Sequence, residues 1–168
     1  IYNKNKKVSI MKKAVLLVNL GTPKSPTYKD LRFYLNLFLS DKRVVNKPRC
    51  LWLPLLKLVL LQVIPQRSAK NYAKIWNYEL NESPLLTYTK QQAIKLQESI
   101  KNEYFVDYAF TYDAGRIDRS ILSKMQELTN NGYNEITILP LYPQYSVSTT
   151  ASIFEQVGDS FKHLEYIP

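Results

Sequence analysis

The chain has 168 residues, of which 45% are hydrophobic and 22% charged; this composition fits one globular domain with a sizeable core and excludes wholesale disorder. Its 23 Lys+Arg against 14 Asp+Glu give a net charge of +9, which favours anionic partners: nucleic acid, membrane lipid or an acidic small molecule. Cys50 is the only cysteine and His163 the only histidine, so an intrachain disulfide and a Cys/His zinc site are both excluded, and a reducing, cytoplasmic setting fits.

The first ten residues, "IYNKNKKVSI", have neither the long apolar stretch of a secretory signal nor the pattern of a core element. They read as a disordered leader, with Met11 as the expected natural start and 11–168 as the domain. "AVLLVNL" (14–20) is a continuous apolar run ended by Gly21-Thr22-Pro23, the pattern of a strand buried on both faces. Thr27 is a helix-cap candidate, with Asp30 in the favourable first turn. Leu31, Tyr34, Leu35 and Phe38 then recur at helical spacing.

"LWLPLLKLVLLQVIP" (51–65) is the one membrane candidate. Bounded by Pro65 and interrupted by Lys57 and Gln62, its 15 residues are too short to span a bilayer. It reads either as a buried helix or as an exposed apolar lip at a pocket mouth or membrane surface. Ser83-Pro84 opens another helix, a hydroxyl cap followed by proline at the first position, expected over about Leu85 to Lys101 with Leu86, Ala93 and Leu96 inward.

"YFVDYAFTY" (104–112) reads as the second strand, followed by a helix from about Asp118 to Thr129 that Asn131-Gly132 ends. "EITILPLY" (135–142) is the third strand. A last helix begins near Ser148 or Ser152, and Ser152 with Glu155 has capping-box spacing. Strands alternating with helices predict an α/β fold, a Rossmann-like parallel sheet with helices on both faces. In such sheets ligands gather at the carboxyl ends of the strands. This puts "NLGTP", "TYDAG" and "YPQYSVSTT" on one rim.

Nucleotide-loop and serine-hydrolase signatures (a Walker A lysine, GxGxxG, GxSxG) are absent. The rim offers aromatic faces and neutral hydroxyls, with Arg67 near in sequence. Such a surface suits a large planar apolar body carrying carboxylates, and equally a stacked nucleobase.

Five blocks, "VLLVNLGTP", "FLSDKRVV", "AKNYAKIW", "NESPLLTYTKQQAIKL" and "LPLYPQYSVSTTAS", together and in this order resemble the amino-terminal half of ferrochelatase, of the class II chelatases. The resemblance implies the first of two similar Rossmann-like domains flanking a porphyrin cleft. It further implies insertion of ferrous iron (Fe2+) into protoporphyrin in haem biosynthesis. Carried over by position, the porphyrin-contacting residues are Tyr72, Ser83, Tyr112 and Tyr142, with Arg67 near a basic residue that faces the cleft. Each has a plain alternative: Tyr72 packing on Trp76, Ser83 capping its helix, Arg67 as a solvated cation.

Three departures accompany the resemblance. Thr111 stands where the family has arginine, and "DAGRIDRS" replaces the usual Gly-Asn-Pro-Ser, leaving Arg116 or Arg119 as substitute cations. Val147 occupies the position of a cluster-ligating cysteine, so no iron–sulfur cluster is expected. The family's metal-site His and Glu fall beyond Pro168, and His163 lacks the motif and reads as exposed. The expectations are therefore a ferrochelatase portion inactive alone or a non-catalytic porphyrin- or haem-binding module, no nucleic-acid partner, and peripheral membrane contact through 51–65.

Overall fold

A computed structural model describes residues 11–100, 103–115 and 119–168. The leader 1–10 and Arg116 lie outside the described residues. Three parallel strands, β1 (Lys12–Asn19), β2 (Phe105–Phe110) and β3 (Tyr133–Pro140), form a sheet in the order β2-β1-β3. The central position of β1 explains its unbroken apolar run. Ala14, Leu16 and Val18 enter one core with Ile121, Met125, Leu128 and Ile153, whereas Val15 and Leu17 enter another with Leu86, Ala93 and Tyr108. Alternation by strand period thus buries both faces.

Helix α4 (Pro84–Ile100) covers the second of these cores, and α5 (Ile121–Asn130) and α6 (Thr150–Ser160) cover the first. The expected α/β sheet with helices on both faces is what the chain forms. One boundary moved where capping chemistry overrode periodicity: α5 starts after Ser120, whose Oγ accepts from the Ser123 N–H, not near Asp118. Helix α6 starts after Thr149, close to the first of its two expected starts. Ser152 is therefore inside its first turn, and Glu155 pairs with Arg43 instead of closing a capping box.

The stretch 51–65 overturns the buried-helix reading. Helices α2 (Arg49–Leu55) and α3 (Leu61–Ile75) are joined through one π-helical turn, Leu56–Leu60, into a continuous 27-residue rod. Pro65 ends nothing, and the rod is long and apolar enough to cross a membrane by length and composition alone, although only 17% of its most apolar window is buried. Leu56, Leu61 and Pro65 are buried, while Leu51, Leu58 and Val63 are 72, 74 and 67% exposed. A proline inside a helix cannot bond the carbonyl four residues back. At Pro65 that carbonyl is Leu61 O, and the Tyr28 hydroxyl of α1 (Tyr28–Ser40) donates to it at 3.2 Å. The rod packs along α1, and together they stand over the carboxyl ends of the strands, where a third core forms around Leu31, Tyr34 and Tyr112.

Candidate functional site

The loops after the three strands meet at one rim. After β1, Gly21 takes φ +113°, and a Cβ there would stand 2.2 Å from the Tyr112 carbonyl oxygen. Only glycine lets the two loops approach so closely. The Tyr112 N–H donates to Leu20 O at 2.9 Å and the Thr111 N–H to Asn19 O at 3.0 Å, so the β1 and β2 loops stay paired beyond the sheet. The Leu141 N–H donates to Val18 O at 2.8 Å, which brings Tyr142 to the same rim.

Four tyrosines from four different elements gather here. Tyr34 is buried on α1, Tyr72 half-buried on α3, Tyr112 buried after β2 and Tyr142 half-buried after β3. The Tyr34 hydroxyl lies close to that of Tyr72, and Tyr142 and Tyr112 are also near it. Phe38 stacks on Tyr34 with ring centroids 6.2 Å apart and 4° between planes. It meets Tyr112 edge-on at 5.3 Å and 73°. Burial pushes all four phenols above the ordinary tyrosine range. They stay neutral, aromatic and able to donate.

The Tyr142 hydroxyl is buried and faces Thr111, yet no hydrogen bond of good geometry is formed at it among the described residues. An orphaned buried hydroxyl costs free energy and is normally satisfied by water or a ligand. Tyr112, in contrast, donates to Asp41 Oδ2 at 2.6 Å. Ser152 donates to the same oxygen at 2.5 Å, and the Arg43 N–H donates to Asp41 Oδ1 at 2.7 Å. Burial works to raise the Asp41 carboxyl, but these three hydrogen bonds and the nearby Arg43 guanidinium outweigh it and hold the carboxyl below its usual range. Asp41 and Tyr34 escaped the reading of candidate site residues. Asp41 stood inside the quoted "FLSDKRVV" block, and its position after a helix end was the available signal.

The remaining sequence candidates lie as follows. Tyr72 packs against the third core, and the Trp76 indole N–H donates to Asn81 Oδ1 at 3.3 Å. Ser83 is 1% exposed and caps α4, accepting from the Leu86 N–H at 3.2 Å; α4 lies on the sheet face opposite α5 and α6. Arg67 is exposed on α3. The Arg119 guanidinium is committed to Asp107 at 2.6 Å and lies 4.3 Å over the Tyr108 ring, at the edge of β2. It is not the free cation that replaces the family arginine at Thr111. His163 is exposed, as expected. Of the hydroxyls in 145–152, Ser146 and Thr149 organise the turn into α6, Ser152 reaches Asp41, and Tyr145 is exposed. No group of three or more His, Cys, Asp or Glu side chains able to hold a metal occurs among the described residues.

The ferrochelatase family model matches residues 12–168. A ferrochelatase of Methylocella silvestris is 46% identical over 161 residues, covering 92% of this chain and 45% of the relative. A coproporphyrin III ferrochelatase of Lactococcus lactis subsp. lactis is 48% identical over 146 residues, 87% of this chain and 44% of the relative. A ferrochelatase of Francisella tularensis subsp. tularensis is 42% identical over 157 residues, 94% of this chain and 46% of the relative. The chain spans somewhat under half the length of these relatives and belongs to the ferrochelatase family.

Proposed function

We propose, from membership of the ferrochelatase family, that the chain supplies one wall of a porphyrin cleft in an enzyme that inserts ferrous iron into a carboxylated porphyrin. The observation that carries the proposal is the wall of Tyr34, Phe38, Tyr72, Tyr112 and Tyr142, with the buried Tyr142 hydroxyl left unpartnered. Neutral rings suit a flat macrocycle, and a spare donor suits its polar edge. Ser83 and Arg67 complete the proposed contacts. Their present roles as a helix cap and an exposed cation give them less direct support than the tyrosines have.

Iron and porphyrin are substrates here, and the porphyrin is proposed to be protoporphyrin. Because one relative is named for coproporphyrin III, the decisive comparison titrates both porphyrins against the protein. Metal insertion requires a base to take two pyrrole protons. Among the described residues the wall offers neutral phenols and Asp41, whose Oδ2 already accepts two hydrogen bonds. The 168-residue chain is therefore proposed to bind porphyrin without turning it over. That same observation favours the second reading, a non-catalytic porphyrin- or haem-binding module. An assay of zinc or iron incorporation should give a Soret shift but no product band; measurable turnover would overturn the inactivity.

Cytoplasmic location with peripheral membrane contact through 51–65 completes the proposal, and no nucleic-acid partner is expected. The exposed Leu51, Leu55, Leu58, Val59 and Val63 support contact with an apolar surface. Co-sedimentation with anionic vesicles should be reduced by Leu58→Ser together with Val63→Ser; equal binding of that variant would refute it.

A further inference from the structure

Asp41 is an unusual way to end a helix. A carboxylate at a helix C-terminus meets the negative end of the helix dipole, where a cation or glycine is preferred. Here it follows α1 directly and is half-buried: Oδ1 accepts locally from the Arg43 N–H, while Oδ2 accepts from two hydroxyls far away in the chain. One partner, Tyr112, comes from the loop after β2, and the other, Ser152, from the first turn of α6. Two residues further on, Arg43 pairs with Glu155, one turn beyond Ser152. The 41–43 turn is thus stitched to α6 twice, and Asp41 reaches past that seam to the Tyr112 hydroxyl.

The Arg43–Glu155 pair and the Asp41–Ser152 hydrogen bond tie this turn to α6. The bond to Tyr112 does something different. It fixes a phenol whose ring meets Phe38 edge-on, and through Phe38 and Tyr34 the fixed ring extends to Tyr72. A ring free to turn would have to be ordered when a planar ligand arrives, and ordering weakens binding.

We propose that Asp41 is a positioning residue of the cleft, whose ionised carboxylate anchors the Tyr112 hydroxyl and so holds the aromatic wall ready for a planar ligand. The proposal rests on the porphyrin reading above. It is tested by Soret titration of the wild-type protein, Asp41→Asn, Tyr112→Phe and the double variant with protoporphyrin, alongside ¹³C NMR of labelled tyrosines without ligand. An amide carries no charge and leaves one acceptor oxygen where the carboxylate offers two to Tyr112, Ser152 and the Arg43 N–H.

Asp41→Asn and Tyr112→Phe should each weaken affinity about five- to tenfold, and the double variant should be within about twofold of either single one. Additive losses, or singles within twofold of wild type, would overturn the proposal. In the ligand-free spectra at neutral pH the Tyr112 Cζ signal should move in Asp41→Asn relative to wild type, because the charged acceptor of its hydroxyl is gone. An unchanged Tyr112 signal also overturns it. This second readout needs no ligand: a protein that binds no porphyrin would defeat the porphyrin reading, and the Asp41–Tyr112 tie would still be judged by NMR. Should Asp41→Asn fail to fold, Tyr112→Phe keeps the ring and removes only the hydroxyl, and undiminished affinity in that variant contradicts the proposal.

Discussion

Asp41 also makes stability depend on pH in a definite direction. Its folded-state carboxyl is held below the ordinary 3.8 by Ser152, Tyr112 and the Arg43 N–H against the opposing effect of burial. A depressed carboxyl contributes stability that is full above the unfolded pKa and lost as pH falls through the folded one. The charged groups around it are the Arg43 guanidinium and, through that, Glu155, with the neutral phenols of Tyr112 and Tyr142 on the other side. Melting temperatures should therefore fall from about pH 4 downward, and fall less steeply in Asp41→Asn. Identical slopes would remove Asp41 from the account. At Gly21 the constraint is steric: Gly21→Ala places a Cβ 2.2 Å from the Tyr112 carbonyl oxygen with φ at +113°. The expected cost in denaturant unfolding is about 3 kcal/mol or more. Ser83→Ala separates cap from contact. Loss of the cap alone costs about 1 kcal/mol of stability and leaves porphyrin affinity unchanged, whereas a contact residue loses affinity as well.

Among the elements, the α2–π–α3 rod carries the plainest contrast between packed and exposed apolar residues. Leu56→Ala should cost about 3 kcal/mol, since that side chain is fully buried. Leu58→Ser, 74% exposed two residues further along the same turn, should change stability by less than about 0.5 kcal/mol. Tyr28→Phe removes the hydroxyl that serves the carbonyl stranded by Pro65 and should cost about 1 kcal/mol in the same melts. This element was also the least legible from sequence. A 15-residue, mostly apolar stretch with two prolines read as a short helix, either buried or an exposed lip, because nothing local shows that a π turn and a distant tyrosine let the helix continue. The strands were readable because β1 buries both faces and writes that into its run of Val and Leu. The start of α4 was readable because Ser83-Pro84 is a local device. Asp41 was not, because its partners lie 71 and 111 residues away and no periodicity encodes such a pairing. Of the predicted site, Tyr72, Tyr112 and Tyr142 come together, while Tyr34 looked like an ordinary core position of α1.

At the scale of the whole molecule, a parallel sheet delivers three loops to one rim, and helices α1 and α3 roof it with aromatic side chains. Among the described residues, the outer edge of β2 is closed by side chains and by one backbone bridge, in which the Phe110 N–H donates to Arg119 O at 2.8 Å. Gln97 accepts from the Val106 N–H at 2.8 Å and donates to Tyr104 O at 2.9 Å. Asp107, held by Arg119 and by the buried Lys124, accepts from the Tyr108 N–H. A capped edge discourages strand addition there; the proposed contacts lie instead at the rim and along the exposed rod. The net charge of +9 suits either a carboxylated ligand or an anionic surface there.

The central claim is that a porphyrin lies against the four-tyrosine wall. A macrocycle shifts the NMR signals of rings stacked on it far more than those of distant ones. Titrating ¹³C-tyrosine-labelled protein with protoporphyrin is therefore the most direct measurement. Large saturable shifts are expected at Tyr34, Tyr72, Tyr112 and Tyr142, with the exposed Tyr78, Tyr88 and Tyr145 scarcely moved. Shifts concentrated on those exposed tyrosines, or no saturable shift at the wall, would contradict it.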